Sequence, residues 1–204
     1  MVAEARPAAF IDRDGVINAE RDYVHRAADF HLLPGAVPGL RQLAAQGYAL
    51  VVVTNQAGIA KALYTEDDFQ LLTRHMRELL ADQGVALLGV YYCPHHPHGK
   101  LLAYTRDCDC RKPAPGMLLR AAAELGLDLR RSVLVGDKPS DAEAGRAAGL
   151  RFTLLVESGH RLPADTSRLT DHRCADLAAA ADWVCDPSRA LNTVNTTPTS
   201  ITTP

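Results

Sequence analysis

The chain has 204 residues, with 22 Lys and Arg against 24 Asp and Glu, and a formal net charge of −2 at pH 7. This length is enough for one well-buried domain, and the balanced charge gives no sign of a nucleic-acid or membrane surface. No apolar stretch reaches the ~18 residues of a membrane-spanning helix, and residues 1–7 lack the apolar region of a signal peptide. We therefore expect a cytoplasmic protein without nucleic-acid or membrane partners.

Strands and helices alternate in the first half of the chain. Apolar, β-rich runs predict a first strand over residues 8–11 and a second over 48–53, with a helix between them that ends at Gly47. Residues 65–68 resemble a capping box and predict the start of a helix that continues to Gly84. A third strand follows over 87–92, and residues 93–112 then form a loop long enough to need its own support.

The second half of the chain continues this alternation. A helix is predicted from Pro115 to Gly126, a strand over 133–135, a helix over 139–148 and a fifth strand over 152–156. The order predicts an α/β fold, a Rossmann-like parallel sheet with helices on both faces. The segment between Asp14 and Thr54 already holds a loop, a helix and a strand, so we expect no separate cap domain.

The most informative motif is Asp12-Arg13-Asp14-Gly15, directly after the first strand. Just past a strand end the chain turns, so both carboxylates can face the crevice where open α/β sheets bind ligands. Adjacent anions are costly unless a cation neutralises them, and Mg²⁺ with oxygen ligands suits that task. The alternative is an ordinary Asp-Gly turn between two elements.

Further polar groups follow other predicted strands or lie near them. Thr54 and Asn55 follow the second strand, Lys112 ends the long loop, and Asp137 follows the fourth strand, with Asp141 four residues later. A nucleophile, a metal site and donors for phosphoryl oxygens are the parts that phosphoryl transfer needs. The set therefore favours phosphate chemistry over a structural turn.

These motifs resemble those of phosphatases of the haloacid dehalogenase superfamily, at residues 12–15, Thr54, Lys112 and 136–141. Within it, the chain is similar to the heptose 1,7-bisphosphate 7-phosphatase family. That finer resemblance covers roughly residues 8–160, with a weaker echo at 181–184, and it is carried by residues 12–18, 23–25, 51–56, 91–97, 108–113 and 136–138.

The resemblance implies a role for each motif. Asp12 would be the nucleophile and Asp14 the general acid and base, with Mg²⁺ held by Asp12, the backbone carbonyl of Asp14, and Asp137. Thr54 and Lys112 would stabilise the phosphoryl oxygens, and Asp141 would lie outside the direct metal ligands. Expected substrate contacts are Glu20, Arg21, Asp22, Tyr23, Asn55, Gln56, Arg111 and Lys138. The alternatives are solvated loop residues for 20–23 and a turn cap for 55–56.

Three of the five cysteines cluster with a histidine in the long loop. Cys93, His95, Cys108 and Cys110 make a closed set of four zinc ligands, with no position left for water, which indicates a structural site. The same pattern matches the zinc loop of the heptose phosphatases, and here it ends directly at Arg111-Lys112. His96 and His98 are competing ligands, and a metal-free thiol cluster is the other possibility. Cys174 and Cys185 are expected to be ordinary small hydrophobic residues.

We expect a single phosphatase domain over residues 1–187, with the zinc loop at 93–112, and a disordered Thr/Pro-rich tail over 188–204. The expected activity is Mg²⁺-dependent hydrolysis of a small phosphorylated sugar by a monomer, namely removal of the 7-phosphate of D-glycero-D-manno-heptose 1,7-bisphosphate. One alternative is a histidinol-phosphate phosphatase. Another, of a different class, is a non-catalytic zinc-dependent binding module on a degenerate phosphatase fold.

Overall fold

A computed structural model describes residues 5–163, 166 and 168–189 of the chain. Its centre is one parallel six-stranded sheet of order β3-β2-β1-β4-β5-β6. The strands are β1 Ala8–Ile11, β2 Ala49–Asn55, β3 Gly89–Cys93, β4 Val133–Gly136, β5 Phe152–Val156 and β6 His172–Cys174. Because β1 lies between β2 and β4, the acidic motif at residues 12–15 begins at the carboxyl end of a central strand.

Helices cover both faces of the sheet. They are α1 Ala36–Ala45, α2 Ala57–Ala60, α3 Glu66–Asp82, α4 Gly116–Leu125, α5 Pro139–Ala147 and α6 Leu177–Cys185. Short 3-10 helices occupy Ala27–Asp29, Leu102–Tyr104, Leu129–Arg131 and Pro187–Arg189. α1, α3 and α6 contribute to the core on one face, and α4 and α5 contribute to the core on the other. The predicted α/β fold is confirmed.

Side chains of β1 alternate between the two cores. Ala9 and Ile11 pack towards α1 and α6, whereas Ala8 and Phe10 pack towards α4 and α5, and all four are fully buried. A strand buried on both faces has a continuous apolar sequence, as seen here. Complete burial of a side chain such as Ile or Phe contributes about 1.5–3 kcal/mol, so β1 fixes the position of the acidic motif that follows it.

Several predicted boundaries agree with the structure. β1 and β5 have the predicted ends, and the Thr65 capping box is present, since Thr65 Oγ1 accepts from Asp68 N at 3.1 Å and Thr65 N donates to Asp68 Oδ2 at 2.8 Å. Between β1 and β2 the structure has one 3-10 helix and α1, and no cap domain.

Other elements differ from the prediction. β2 extends to Asn55, so Thr54 and Asn55 belong to the strand rather than follow it, and β3 begins at Gly89 rather than Leu87. Helices α2 and α6 and strand β6 were not predicted. The predicted tail at 188–204 lies outside the described residues from 190 onwards, while Ser188 and Arg189 belong to a 3-10 helix. In the part of the chain that the structure describes, each helix is too short or too polar to cross a bilayer.

Candidate active site

A polar cavity of about 480 Å³ opens at the carboxyl ends of the central strands. Most of the predicted catalytic, Mg²⁺-binding and substrate-binding residues line it, but the exposed Arg21 and the fully buried Asp137 do not. Those that do are Asp12, Asp14, Glu20, Asp22, Tyr23, Thr54, Asn55, Gln56, Arg111, Lys112 and Lys138. The topology thus brings four separate sequence motifs to one edge of the sheet, as parallel sheets require.

Asp12 and Lys112 form a buried ion pair at the base of the cavity. Asp12 N donates to Val135 O at 2.9 Å, which ties the motif to β4. Lys112 Nζ lies 3.0 Å from Asp12 Oδ1 and 2.6 Å from Asp141 Oδ1, and it donates to Val53 O at 2.8 Å. The side chains of Lys112 and Asp141 are almost fully buried and that of Asp12 nearly so. One ammonium group therefore serves two carboxylates.

Burial and charge shift the titration of this pair. Burial raises the pKa of Asp12 to about 7; the Lys112 ammonium opposes this shift, and Asp141, Asp137 and Asp14 add to it. For Lys112, burial by itself lowers the pKa, but the carboxylates of Asp12 and Asp141 outweigh it and raise the pKa overall. The cavity base thus holds more negative charge than its lysine neutralises, which favours binding of a further cation.

Asp137 supplies a second indication of a metal site. It is fully buried at the end of β4, and its Oδ2 accepts from the backbone N of His160 at 3.0 Å and lies 2.6 Å from His160 Nδ1. Its Oδ1 has no hydrogen-bond partner. One carboxylate oxygen each from Asp12, Asp137 and Asp141 lies within 4.8 Å of the others. These oxygen donors and the unpartnered oxygen fit a hard divalent cation such as Mg²⁺.

Asp141, which we expected outside the direct ligands, belongs to this acid cluster. Its Oδ1 pairs with Lys112, and its Oδ2 accepts from Lys138 N at 3.0 Å at the start of α5. Like Asp137 Oδ1, Asp141 Oδ1 accepts no hydrogen bond from the residues that the structure describes, and its contact within the protein is the ion pair with the Lys112 ammonium at 2.6 Å. Asp141 thus helps to hold Lys112 in place, and it is also close enough to Asp12 and Asp137 to contribute to a metal site.

The carboxylate of Asp14 is held by a different set of donors. The Arg13 guanidinium contacts it with Nε and Nη2 at 2.8–3.2 Å, Asn18 Nδ2 donates to Oδ1 at 3.0 Å, and Gln56 Nε2 donates to Oδ2 at 3.2 Å. Arg13 is itself buried. Since Asp12 and Asp14 have separate partners, the two acids of the motif can perform separate tasks.

Thr54 and Asn55 end strand β2 beside the acids. Thr54 is buried, and its Oγ1 accepts from Gln56 Nε2 at 2.8 Å. Asn55 Nδ2 donates to Lys112 O at 3.0 Å and its Oδ1 accepts from Lys112 N at 3.1 Å. The Asn55 amide thus holds both the backbone N–H and the backbone carbonyl of Lys112, and Asn55 also lines the cavity.

The loop after the acidic motif forms one wall of the cavity. Glu20 Oε2 lies 3.7 Å from Lys138 Nζ, and burial together with the charge of Asp14 raises the pKa of Glu20. Lys61 Nζ donates to the hydroxyl of Tyr23 at 2.6 Å. The loop therefore presents acidic and hydroxyl groups to the cavity.

His160, Lys61 and His96 also line the cavity and were not predicted. Each is a single residue in a loop or at the end of a short helix, without a motif of its own. The position of Gly159-His160 just beyond β5 is the one signal that could have identified His160, because that strand ends at the same edge of the sheet.

The cysteine cluster lies in the long loop after β3. The Sγ atoms of Cys93, Cys108 and Cys110 are 3.0–3.5 Å apart, and His95 Nδ1 is 3.3 Å from Cys110 Sγ and 3.8 Å from Cys93 Sγ. Zinc bound to thiolates at about 2.3 Å in a tetrahedron would separate the sulfurs by about 3.8 Å. The four donors fit such an ion after small outward shifts.

The competing histidines lie elsewhere. His96 lines the cavity, and its Nδ1 accepts from the backbone N of His98 at 3.0 Å. The cluster of potential metal ligands contains His95, as the family resemblance implied. Cys174 and Cys185 lie outside this cluster, in β6 and at the end of α6.

The long loop is also anchored without metal. The hydroxyls of Tyr92 in β3 and Tyr104 in the loop both donate to the Glu66 carboxylate at 2.7 Å. Arg111 Nη1 donates to His95 O at 3.3 Å. These hydrogen bonds therefore fix the loop to α3 and help to position Arg111 and Lys112, which line the cavity.

Comparisons with known proteins agree with this geometry. Residues 109–186 match the family model described as HAD-hydrolase-like. The chain is 43% identical over 183 residues to a D-glycero-beta-D-manno-heptose-1,7-bisphosphate 7-phosphatase of Yersinia pestis, covering 90% of this chain and 92% of the relative. It is 46% identical over 173 residues to the protein of that name from Pasteurella multocida, covering 85% and 94%.

A solved structure of a phosphatase has a similar fold. The D,D-heptose 1,7-bisphosphate phosphatase of B. bronchiseptica, complexed with magnesium and phosphate, superimposes with a TM-score of 0.73 at 30% identity, covering 87% of this chain and 97% of that one. Identity at this level over most of both chains establishes membership. The chain belongs to the heptose bisphosphate phosphatase family of haloacid dehalogenase-like hydrolases.

Proposed function

We propose that the protein is a Mg²⁺-dependent phosphatase that removes the 7-phosphate of D-glycero-D-manno-heptose 1,7-bisphosphate through an aspartyl-phosphate on Asp12. The observation that carries this proposal is the placement of Asp12 against Lys112 in a cavity that Asp14 also lines. The buried Asp137, with one unpartnered oxygen, lies close enough to Asp12 to share a metal ion with it. The names of the relatives, and the magnesium and phosphate in the B. bronchiseptica enzyme, support the substrate and the metal.

In the first step an Asp12 carboxylate oxygen attacks the phosphorus while the bond from phosphorus to the sugar oxygen breaks. Asp14 donates its proton to that leaving oxygen, as a general acid. Lys112 and the hydroxyl of Thr54 offset the charge on the phosphoryl oxygens, and loss of one such donor commonly costs about 3–4 kcal/mol of transition-state stabilisation. The products are the free sugar hydroxyl and a phosphorylated Asp12.

In the second step water attacks the phosphorus of the aspartyl-phosphate. Asp14 now accepts a proton from that water, the bond from phosphorus to Asp12 breaks, and inorganic phosphate leaves. When Mg²⁺ is bound by Asp12, Asp137 and the backbone carbonyl of Asp14, it supplies neutralisation of the negative charges that must meet.

We also propose that Cys93, His95, Cys108 and Cys110 bind a structural zinc ion, because four thiolate and imidazole donors leave no open position for a reacting water. Residues that would contact the sugar and its second phosphate are Glu20, Arg21, Asp22, Tyr23, Asn55, Arg111 and Lys138. We further propose that the protein folds as a single domain and acts as a monomer.

Release of phosphate from a substrate panel tests the function. With Mg²⁺ present we expect the highest kcat/KM for the heptose bisphosphate, supplied as both anomers, and a lower value for histidinol phosphate. Asp12→Asn should lower kcat by at least about 10³-fold, since a nucleophile is lost. Asp67→Asn, on the exposed face of α3, is the matched control and should behave as wild type. Unchanged phosphate release by Asp12→Asn would refute the covalent mechanism.

A further inference from the structure

The side chain of Gln56 lies between two groups of the proposed reaction. It is buried, with 2% of its surface exposed. Its Nε2 donates to Thr54 Oγ1 at 2.8 Å and to Asp14 Oδ2 at 3.2 Å. Its Oε1 accepts from the hydroxyl of Tyr64 and from Arg13 Nη2 at 3.4 Å. Every polar atom of the carboxamide is therefore bonded to the protein, and none is left for a sugar.

The orientation of this carboxamide is determined by its neighbours. The amide nitrogen of Gln56 faces Asp14 Oδ2 and Thr54 Oγ1, and a carboxamide nitrogen can only donate hydrogen bonds. The guanidinium of Arg13 can only donate, so it must meet the amide oxygen. Tyr64 adds a second donor on that oxygen, and its own ring stacks on His25 at a centroid distance of 5.1 Å. A flipped amide would lose these contacts and place an oxygen against the carboxylate.

This orientation has a consequence for Thr54. A hydroxyl has one proton to donate and two lone pairs that accept. Because the oxygen of Thr54 already accepts from Gln56, its own proton is directed to another acceptor, and Thr54 lines the cavity where the phosphoryl group would lie. The bond from Gln56 thus sets Thr54 as a donor towards phosphate.

We propose that Gln56 is a positioning residue, which holds the general acid Asp14 and the phosphoryl donor Thr54 in their reactive orientations through one buried carboxamide that Tyr64 and Arg13 fix in turn. This inference rests on the proposed function, since it takes the roles of Asp14 and Thr54 from it. It replaces the substrate contact that the sequence suggested for Gln56.

A series of aryl phosphates tests the inference, because these substrates lack the sugar and its hydroxyls. For each compound kcat/KM is measured with Mg²⁺ and plotted against the pKa of the leaving phenol. In wild type, Asp14 is positioned to protonate the leaving oxygen. Because little negative charge then develops on the phenol, kcat/KM should depend only weakly on the pKa of the phenol. In Gln56→Met, which keeps the length of the side chain and removes the amide, the dependence should become steeper, and kcat on the heptose bisphosphate should fall about 10–100-fold with KM within about threefold of wild type.

The matched control is Thr73→Val, which removes another buried polar group, on α3, that has no hydrogen-bond partner. It should leave both slope and kcat unchanged. If Gln56→Met does not fold, as judged by its thermal unfolding, Gln56→Glu replaces the donating nitrogen by oxygen at constant size and should show the same steepening.

An unchanged slope together with a raised KM on the heptose bisphosphate would overturn the inference, because that is the pattern of a lost substrate contact. Failure of the proposed function has a different signature. Wild type itself would then release no phosphate from the bisphosphate, whatever the behaviour of the Gln56 variants.

Discussion

The acids of the cavity differ in their partners, and their proposed tasks follow from that difference. Asp12 pairs with the buried Lys112, Asp14 is held by the Arg13 fork, and Asp137 keeps one oxygen without a partner. Environments that separate otherwise identical groups allow one to act as nucleophile, another as acid and a third as metal ligand. Lys112 is also structural, because loss of one partner from a buried ion pair costs about 3–5 kcal/mol.

Gly15 offers a test of how closely the acids are packed. Its φ is +87°, and a Cβ at this position would lie 2.3 Å from Asp137 Oδ2. Gly15→Ala should therefore displace the Asp137 carboxylate and weaken Mg²⁺ binding by at least about tenfold, in addition to a backbone cost of about 1–2 kcal/mol. Calorimetric titration with Mg²⁺ measures the first effect and denaturant unfolding the second.

The control for Gly15 is Gly47, which has a φ of +84° and open space where a Cβ would be. Gly47→Ala has a similar backbone cost and no clash, so it should lose stability but keep wild-type Mg²⁺ affinity. Equal Mg²⁺ affinities for Gly15→Ala and wild type would show that Asp137 does not hold the metal.

The sequence alone was sufficient to locate the acids, because each acid follows a recognisable apolar strand. It was insufficient for the positioning role that we propose for Gln56: the pattern shows that a polar residue follows β2, but it does not show that the amide also reaches Asp14, 42 residues away. His160 was missed for the same reason, since its partner Asp137 is distant in the chain.

Among the elements, the cysteine loop has the most direct link to the cavity. It leaves β3 at Cys93, is fastened to α3 through Glu66, and ends at Arg111 and Lys112. Structural zinc sites contribute folding free energy directly. The loop should therefore control how well its last two residues are positioned.

Replacement of one proposed zinc ligand tests this link. Cys110→Ser should lower the zinc content measured by mass spectrometry and reduce kcat/KM about tenfold or more, because Arg111 and Lys112 lose their support. Cys185→Ser, outside the cluster at the end of α6, is the control and should retain zinc and activity. Full activity of zinc-free protein after resupply of Mg²⁺ would disprove the link.

The elements that could be predicted are those with a clear hydrophobic period. β1 and β5 are short apolar runs next to glycines or charged residues, and their bounds were correct. β6 has three residues, His172-Arg173-Cys174, and only the last of them is buried, so no apolar run marks it. Its place at the sheet edge comes from pairing with β5 and not from its own composition.

At the scale of the whole molecule, the metal should stabilise the fold in a pH-dependent way. The pKa of Asp12 is raised from 3.8 to about 7, chiefly by burial. The native state thus holds this proton more tightly than the unfolded chain, so the stabilisation it provides is complete below about pH 4 and is lost as the pH rises through about 7. Above that pH a buried carboxylate is ionised and suited to a divalent cation.

We therefore expect saturating Mg²⁺ to raise the unfolding temperature more at pH 8, by about 5–10 °C, than at pH 5. Thermal unfolding followed by circular dichroism, with NaCl at equal ionic strength in place of MgCl₂ as the control, provides the measurement. The same increase at both pH values would contradict a role for Asp12 ionisation in metal binding.

The strand order also bears on how the chain matures on the ribosome. β1 is made first, yet one of its two sheet neighbours, β4, is made more than a hundred residues later, and α1 packs against the distant α6. Until synthesis reaches β4, an apolar edge of the nascent polypeptide lacks its partner. Protection of that edge, by non-native contacts or by a chaperone, is thus a requirement that this topology imposes on biosynthesis.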